Sequence, residues 1–432
     1  MLLQPKARLV NPSSNSQFPI NPSSVASAVG IWGIQAAFHQ ILVSPQIGGA
    51  GLIALQLAKA LRARTPQSHV WIPGDGPARK QAEVWKLVDH DYDLRASSSN
   101  RKFEPAIANL KIAYRLRSMG PGIVHVHGPY AYGALRLGLK VSGLKRVAHV
   151  QIDEVENGLR WAFKYPPDVI VTCARFLVEN VRRSLAARHQ DRQRIVAVPN
   201  AVDTTIFYPG RRIEAKVRIG APPDVPLILM LANLAPHKGQ ETVIRTIALL
   251  KQRGVNALVW FAGIEREGGR TYTDHLLKLA GALEVTEQIK FLGYCEDSAR
   301  LLRGADVFLL PSTREGLPLS ILEAQASKVP VLAAPTPGAC EVITHGETGF
   351  LIAHDHAEGY ADYVLRLLTK PALYHRVTEN AYERVRSEYD WKTYCERTWQ
   401  IYRELLDGCV DASSSGPMRN EATRPSKAGI QL

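Results

Sequence analysis

The sequence predicts an α/β protein made of two doubly wound, parallel-sheet domains in tandem. Three observations carry this. Short β-rich runs alternate with helical patterns through most of the chain. The alternation restarts after Pro199. The chain, at 432 residues, is long enough for two to three domains of about 150 residues.

The elements follow in order. Residues 1–36 read as a flexible lead-in, Pro-, Asn- and Ser-rich near the start and without the apolar stretch of a secretory signal. The run Val25–Val43 comes nearest to a membrane span, but Gln35, His39 and Gln40 interrupt it and its second half reads as a strand. Phe38–Ser44 is that strand. Gly51–Arg64 places apolar residues at helical spacing, His69–Pro73 is a strand, and Pro105–Arg117 is an amphipathic helix. Gly122–His127, Arg146–Ile152 and Asp168–Thr172 are further strands. The second series holds strands at Pro226–Ala232, Ala257–Ala262, Ile289–Leu292, Asp306–Leu310 and Val329–Ala333, and a helix at Gln240–Gln252. Trp391–Asp407 is a last helix, its Trp391, Tyr394, Trp399, Tyr402 and Leu405 expected to pack across the two domains. The domains are therefore expected at 37–200, completed by 391–408, and at 201–390, with a disordered tail over 409–432.

Composition excludes several classes. Apolar residues make up 46% and charged residues 22%, which is globular. The five cysteines are scattered and form no CxxC pair, so neither a disulfide framework nor a zinc ribbon organises the chain, and a reducing compartment is expected. The net charge of +13 is unevenly spread: residues 37–200 carry 24 basic and 12 acidic side chains, residues 201–390 carry 21 and 23. The first half is thus expected to meet something anionic, or simply to present a solvated basic face. Lys111, Arg115 and Arg117, with Arg182, Arg183 and Arg188, concentrate part of that charge. No nucleic-acid motif or aromatic platform accompanies it, so nucleic acid is not expected as a partner.

The strongest chemical signal is FLLPSTREGLPLSILEAQASKVPVLAAP, a buried strand, a loop and a helix. Pro318 is expected at the first helical position, and the amides after it are free to bind phosphate oxygens. Glu315 and Glu323 are eight residues apart, about 80° of net rotation, so they form no single metal clamp but can reach different parts of one ligand. Taken alone, each reads as an ordinary first-turn or surface carboxylate. LANLAPHKG ends a strand and opens a helix with Lys238 at its tip, placed to meet a diphosphate. QIGGAG, joining the first strand to the first helix, allows close backbone approach to a ligand but is not the dinucleotide GxGxxG. His125 and His127 form an HxH pair with no third ligand of matching logic nearby in sequence. A hydrogen-bonding role for His127 is therefore expected, and no metal, and with Glu315 and Lys238 it is a candidate catalytic residue.

From about Val198 onward these motifs, with FAGIEREGG, GACEVI and HGETGFLI, resemble the retaining glycosyltransferases of family 4, the group 1 nucleotide-sugar transferases of GT-B fold. The first half resembles them more loosely. The resemblance implies that Glu323 holds the ribose hydroxyls and that Glu315 lies near the transferred sugar. It puts the amides of Gly316, Leu317 and Leu319, beside Pro318, on sugar and phosphate, Lys238 on the diphosphate, and Gly49 and Ala50 in the glycine loop closing over it. Asn233 stands where the family commonly has Arg. Gln151 stands where relatives place a sugar-contacting His, with His149 two residues away on the same strand face. The implied reaction moves a sugar from a nucleotide-diphosphate donor to a carbohydrate or lipid-linked acceptor hydroxyl with retention, without metal or cofactor. A cytoplasmic enzyme of polysaccharide or glycolipid synthesis, in peripheral contact with the inner membrane face, is expected. The rival is a nucleotide-sugar-binding protein of impaired catalysis.

Overall fold

The computed structural model describes residues 36–100, 103–152, 156–186, 191–265 and 270–407. The lead-in up to Gln35, the tail from Gly408, Arg188 and Cys409 lie outside them.

The first sheet contains seven strands: β1 (Ala37–Leu42), β2 (Ser68–Ile72), β3 (Val88–Asp91), β4 (Gly122–His127), β5 (Lys145–Val150), β6 (Val169–Thr172) and β7 (Ile195–Ala197). Its order is β3-β2-β1-β4-β5-β6-β7, every described pair parallel. The crossovers are α1 (Gly49–Arg62), α2 (Pro77–Val84), α3 (Leu94–Ser97), α4 (Glu104–Ser118), α5 (Pro129–Ser142), α6 (Glu156–Ala162) and α7 (Leu177–Ser184). After α8 (Arg212–Ile219) the second sheet repeats the plan with β8 (Leu227–Leu231), β9 (Leu258–Ala262), β10 (Ile289–Gly293), β11 (Val307–Leu310), β12 (Val331–Ala333) and β13 (Phe350–Leu351). Its order is β10-β9-β8-β11-β12-β13, again all parallel. Its helices are α9 (Gln240–Gln252), α10 (Thr271–Ala282), α11 (Ser298–Gly304), α12 (Leu319–Ala326), α13 (Pro337–Val342), α14 (Ala357–Thr369) and α15 (Pro371–Glu388). Both sheets are therefore two-domain, doubly wound architecture, because strands buried on both faces need helices on both.

The last helix, α16 (Trp391–Asp407), returns to the first sheet. Its Tyr394, Ile401, Tyr402 and Leu405 join Phe38, Ile123, Val147 and Val171, with Ile53, Leu57 and Leu61 of α1, in one buried cluster. The aromatic stripe thus covers one face of the first sheet, and Leu319 of the second domain packs against the same cluster. Arg194 pairs with Glu404 at its end. The chain crosses between domains where Val202 bonds to the backbone on either side of Asp390.

Two local expectations change. Pro318 sits at the N-cap of α12 in an extended conformation, not at its first helical position. Arg115 is not a free surface cation. It stacks over Trp71 at 4.7 Å and donates to the Asp91 carbonyl at 2.6 Å.

Candidate functional site

In a doubly wound sheet the ligand crevice lies outside the carboxyl ends of the strands, where the order reverses. Here that is between β1 and β4 in one domain and between β8 and β11 in the other. Three of the four loops leaving those strands are ones singled out in the sequence, and the fourth follows the HxH pair. QIGGAG follows β1, Gly128 follows β4 after His127, LANLAPHKG follows β8, and PSTREGLP follows β11.

Two helix N-termini meet there. Gly48 caps α1 and Pro318 caps α12, neither with a side-chain hydrogen bond to the first-turn amides. Gly49 lies against α12: a Cβ on it would come within 3.3 Å of Leu319 Cδ1. Ala50 is the next residue of α1. Unsatisfied amides and the positive ends of two helix dipoles thus converge on one seam, which is the physical make-up of an anion site.

The second domain's two loops are tied to each other. Gly239 has φ +81°, and a Cβ there would fall 2.3 Å from the Pro311 carbonyl, so only glycine admits this approach. Thr313 N donates to the His237 carbonyl at 2.9 Å. Lys238 Nζ donates to Glu315 Oε1 at 2.7 Å, with both side chains mostly buried. Glu315 is therefore a lysine partner, not a helix-dipole residue. Asn233, in the same loop, accepts from the Gln240 side chain through its carbonyl.

Glu323 is not a surface residue. It is 9% exposed on the second turn of α12, and burial raises its carboxyl to about 7. A half-protonated buried carboxyl at neutral pH is costly unless a ligand supplies donors to it.

The seam itself is close-packed. A Cβ on Gly316 would lie 2.4 Å from the Gln151 carbonyl, and one on Gly338 would lie 1.4 Å from the Gly316 carbonyl. Asn200 Nδ2 donates to the Leu317 carbonyl at 3.0 Å. Cys173 packs here too, its thiol pushed up to about 12 by burial. A little farther out, Glu341 accepts the backbone N–H groups of Arg175 and Phe176, clasping the start of α7. Asn200, Gly338 and Glu341 were not singled out from sequence. Asn200 stands in the VPNAVD run just ahead of the domain break and Glu341 in GACEVI, so the text was visible but no single residue carried a chemical signature.

His127 lies 1% exposed beneath this seam. Gln151 Nε2 lies 3.1 Å from His127 Nδ1 and 3.3 Å from His149 Nδ1. With that amide donating to both rings, each ring carries its proton on Nε2. His127 Nε2–H then donates to Gln40 Oε1 at 2.8 Å. Gln40 Nε2 donates to the Tyr402 hydroxyl at 3.2 Å, and the hydroxyl donates to His125 Nδ1 at 2.6 Å. Burial holds all three histidines neutral: His149 at about 3, His125 and His127 well below 6.5. Both nitrogens of His127 are thus engaged by protein.

The HxH pair does gain a third histidine, contrary to the sequence expectation. His149 comes from the neighbouring strand, and one nitrogen of each ring lies within 4.8 Å of the others. The rings nevertheless stack. His125 lies 24° from His127 and 21° from His149. The Nδ1 atoms are met by Gln151 and Tyr402, whereas Nε2 of His125 and of His149 is buried without a hydrogen-bond partner among the described residues.

Comparison with known proteins places the chain. The model of group 1 glycosyl transferases matches residues 211–384, and the model of family 4 glycosyltransferases matches residues 47–206. The chain belongs to this family of GT-B glycosyltransferases, and its activity is glycosyl transfer. N-acetyl-alpha-D-glucosaminyl L-malate synthase of Bacillus anthracis is 25% identical over 85% of this chain and 97% of its own length. D-inositol 3-phosphate glycosyltransferase of Nocardia farcinica is 32% identical over 44% of this chain, which spans less than half of that relative (43%). HepE of Anabaena in complex with UDP-glucose shares the fold at a TM-score of 0.72, with 18% identity over 85% of this chain and 99% of its own. Sucrose-phosphate synthase of Thermosynechococcus elongatus does so at 0.69, with 18% identity over 86% of this chain and all of its own.

Proposed function

We propose that this protein transfers a sugar from a nucleotide-diphosphate donor to an acceptor hydroxyl with retention of anomeric configuration, in polysaccharide or glycolipid synthesis. The observation that carries the reading is the meeting of two uncapped helix N-termini, at Gly49 and Leu319, with Lys238 paired to Glu315 in the loop that leads into α12. A diphosphate leaving group needs stabilised negative charge in the transition state, and preorganised amides with one ammonium supply it without a divalent cation. Donor binding trades the Glu315 carboxylate for phosphate at Lys238 and leaves Glu315 beside the sugar. The solved HepE complexes with UDP and UDP-glucose support a nucleotide-sugar donor. Glu323 holds the ribose hydroxyls, with Asn233, Gln151, Gly316, Leu317 and Pro318 lining the remainder.

The first domain receives the acceptor, and its basic surface favours a lipid-linked acceptor at an anionic membrane facing the cytoplasm. Among the described residues, no helix is long and apolar enough to cross a membrane.

A thermal-shift screen of nucleotide sugars identifies the donor, since a specific ligand raises the melting temperature by mass action. Turnover with that donor, followed by NMR of the anomeric proton, tests retention. Activity undiminished by a strong chelator tests metal independence. The second reading, a donor-binding protein of impaired catalysis, is favoured by His127, whose ring nitrogens both face protein. That protein binds the donor yet releases no nucleoside diphosphate with any acceptor.

A further inference from the structure

The solvent face of α4 is apolar. Ile107, Leu110 and Tyr114 are 51%, 64% and 76% exposed, and Phe103 just ahead of the helix is exposed as well. At about 100° per residue, Phe103, Ile107, Leu110 and Tyr114 fall within an arc of about 60°. The buried face of the same helix, Asn109, Ile112, Ala113 and Leu116, points the other way. A helix that is apolar on both sides has one side committed to the core and the other to something outside it.

The same surface continues onto α5. Asn109 Nδ2 donates to the Ala134 carbonyl and Asn109 Oδ1 accepts from Gly138 N, locking the two helices together. A Cβ on Gly138 would lie 2.4 Å from the Asn109 carbonyl, so the glycine sets their close approach. Leu137 and Val141 of α5 are half-exposed. At the other end of α5, beside His127 and the seam, exposed Tyr130 stacks on Trp161.

The charges around the stripe choose its occupant. Lys111 and Arg117 are exposed and flank it on opposite sides, about 70° and 50° from its centre at 100° per residue. Lys140 adds a third exposed cation on α5, and Glu104, in the first turn, is the only acid of α4. An apolar strip with an aromatic residue, edged by cations, matches the headgroup region of an anionic bilayer. We propose that the outer face of α4, with Leu137 and Val141 of α5, lies in the interface of an anionic lipid membrane, with Ile107, Leu110 and Tyr114 inserted and Lys111, Arg117 and Lys140 on the headgroups. This deepens the membrane contact of the proposed function and does not depend on which sugar is moved.

The test is flotation of the full chain with phosphatidylcholine vesicles, with and without phosphatidylglycerol, at low and high salt. Binding is expected only with phosphatidylglycerol and is weakened by salt. Leu110→Gln with Tyr114→Ser should lower binding about tenfold or more, and Lys111→Gln with Arg117→Gln by a similar factor. All four positions are exposed, so an unchanged melting temperature certifies the fold. Arg115 is left intact because it serves the fold through Trp71 and Asp91. Failure to bind anionic vesicles at low salt overturns the proposal. So does binding that the Leu110/Tyr114 variant retains. Sedimentation velocity showing self-association that the same variant abolishes, without vesicle binding, assigns the face to a second copy instead. Turnover with a soluble acceptor, measured alongside, reports on the transferase reading separately.

Discussion

Lys238 and Glu315 form an ion pair, Nζ to Oε1 at 2.7 Å, that joins the loop after β8 to the loop after β11. Each partner is mostly buried, so removing one leaves the other uncompensated. Lys238→Ala is expected to lose stability, by about 3 kcal/mol at most, as well as turnover. Lys238→Ala with Glu315→Gln should recover most of the stability and none of the single-turnover rate. Chemical denaturation beside rapid-quench kinetics separates the two. A double variant with near-normal rate would show that the diphosphate is held elsewhere.

Glu323 makes stability and donor binding depend on pH in opposite senses. Its folded carboxyl keeps its proton up to about pH 7, whereas an unfolded one loses it near 4.5. The folded state thus binds more protons between those values, and stability falls as pH rises from 4.5 to 7, then levels off. The loss is about 3 kcal/mol. Glu323→Gln removes it, so the variant should be the more stable protein at pH 8 and gain nothing near pH 4.5. Nucleotide affinity should run the other way, rising with pH up to about 7, because ribose hydroxyls donate to the ionised form. Calorimetry in buffers of different ionisation enthalpy should record proton release on binding. An affinity flat across this range contradicts the ribose role.

The fold was legible because its signals are local. Several of the buried parallel strands, such as Leu227–Leu231 and Val307–Leu310, are continuous apolar runs, and the restart after Pro199 marks the second domain. The loops at the strand-order reversals were legible too, since Gly239 and Gly316 leave a mark in sequence. Partnerships were not. Nothing near Glu315 in the chain says that Lys238, in a different loop, will neutralise it. Nothing near His125 says that Tyr402, from the last helix, will meet its Nδ1. Glu323 read as a surface acid because α12 is buried on nearly every side, which removes the amphipathic pattern that would have placed it. Arg115 read as part of an exposed basic cluster because helical spacing groups it with Lys111, whereas Trp71 and Asp91 come from two strands of the sheet, β2 and β3.

Gly316→Ala tests the seam. The added methyl would fall 2.4 Å from the Gln151 carbonyl, a backbone atom that cannot swing aside. The contact is between domains, so the strain is relieved by parting them rather than by unfolding either one. The melting temperature should change little. Small-angle scattering should show a larger radius, and kcat/KM should fall about a hundredfold, since a small misplacement at a reacting centre has that effect. Compact scattering with normal turnover would show that the seam opens during the reaction without need of this contact.

Tyr402→Phe tests whether the array under the seam is structural or also orients the site. The phenol hydroxyl accepts from Gln40 and donates to His125, and it is wholly buried. Phenylalanine keeps the ring that packs on Phe38 but leaves both polar partners unmet. The expected loss of stability is about 1–3 kcal/mol. Gln40 is the link that matters for activity, because its amide is held at one end by Tyr402 and at the other accepts from His127. Releasing one end lets the amide turn, and a turned amide presents a donor to His127 Nε2–H. The ring must then shift its proton to Nδ1, which breaks the bond from Gln151, whose own carbonyl abuts Gly316. The loss should therefore appear in kcat with donor KM unchanged. A fall in stability with unaltered kcat would confine the array to holding the last helix on the sheet.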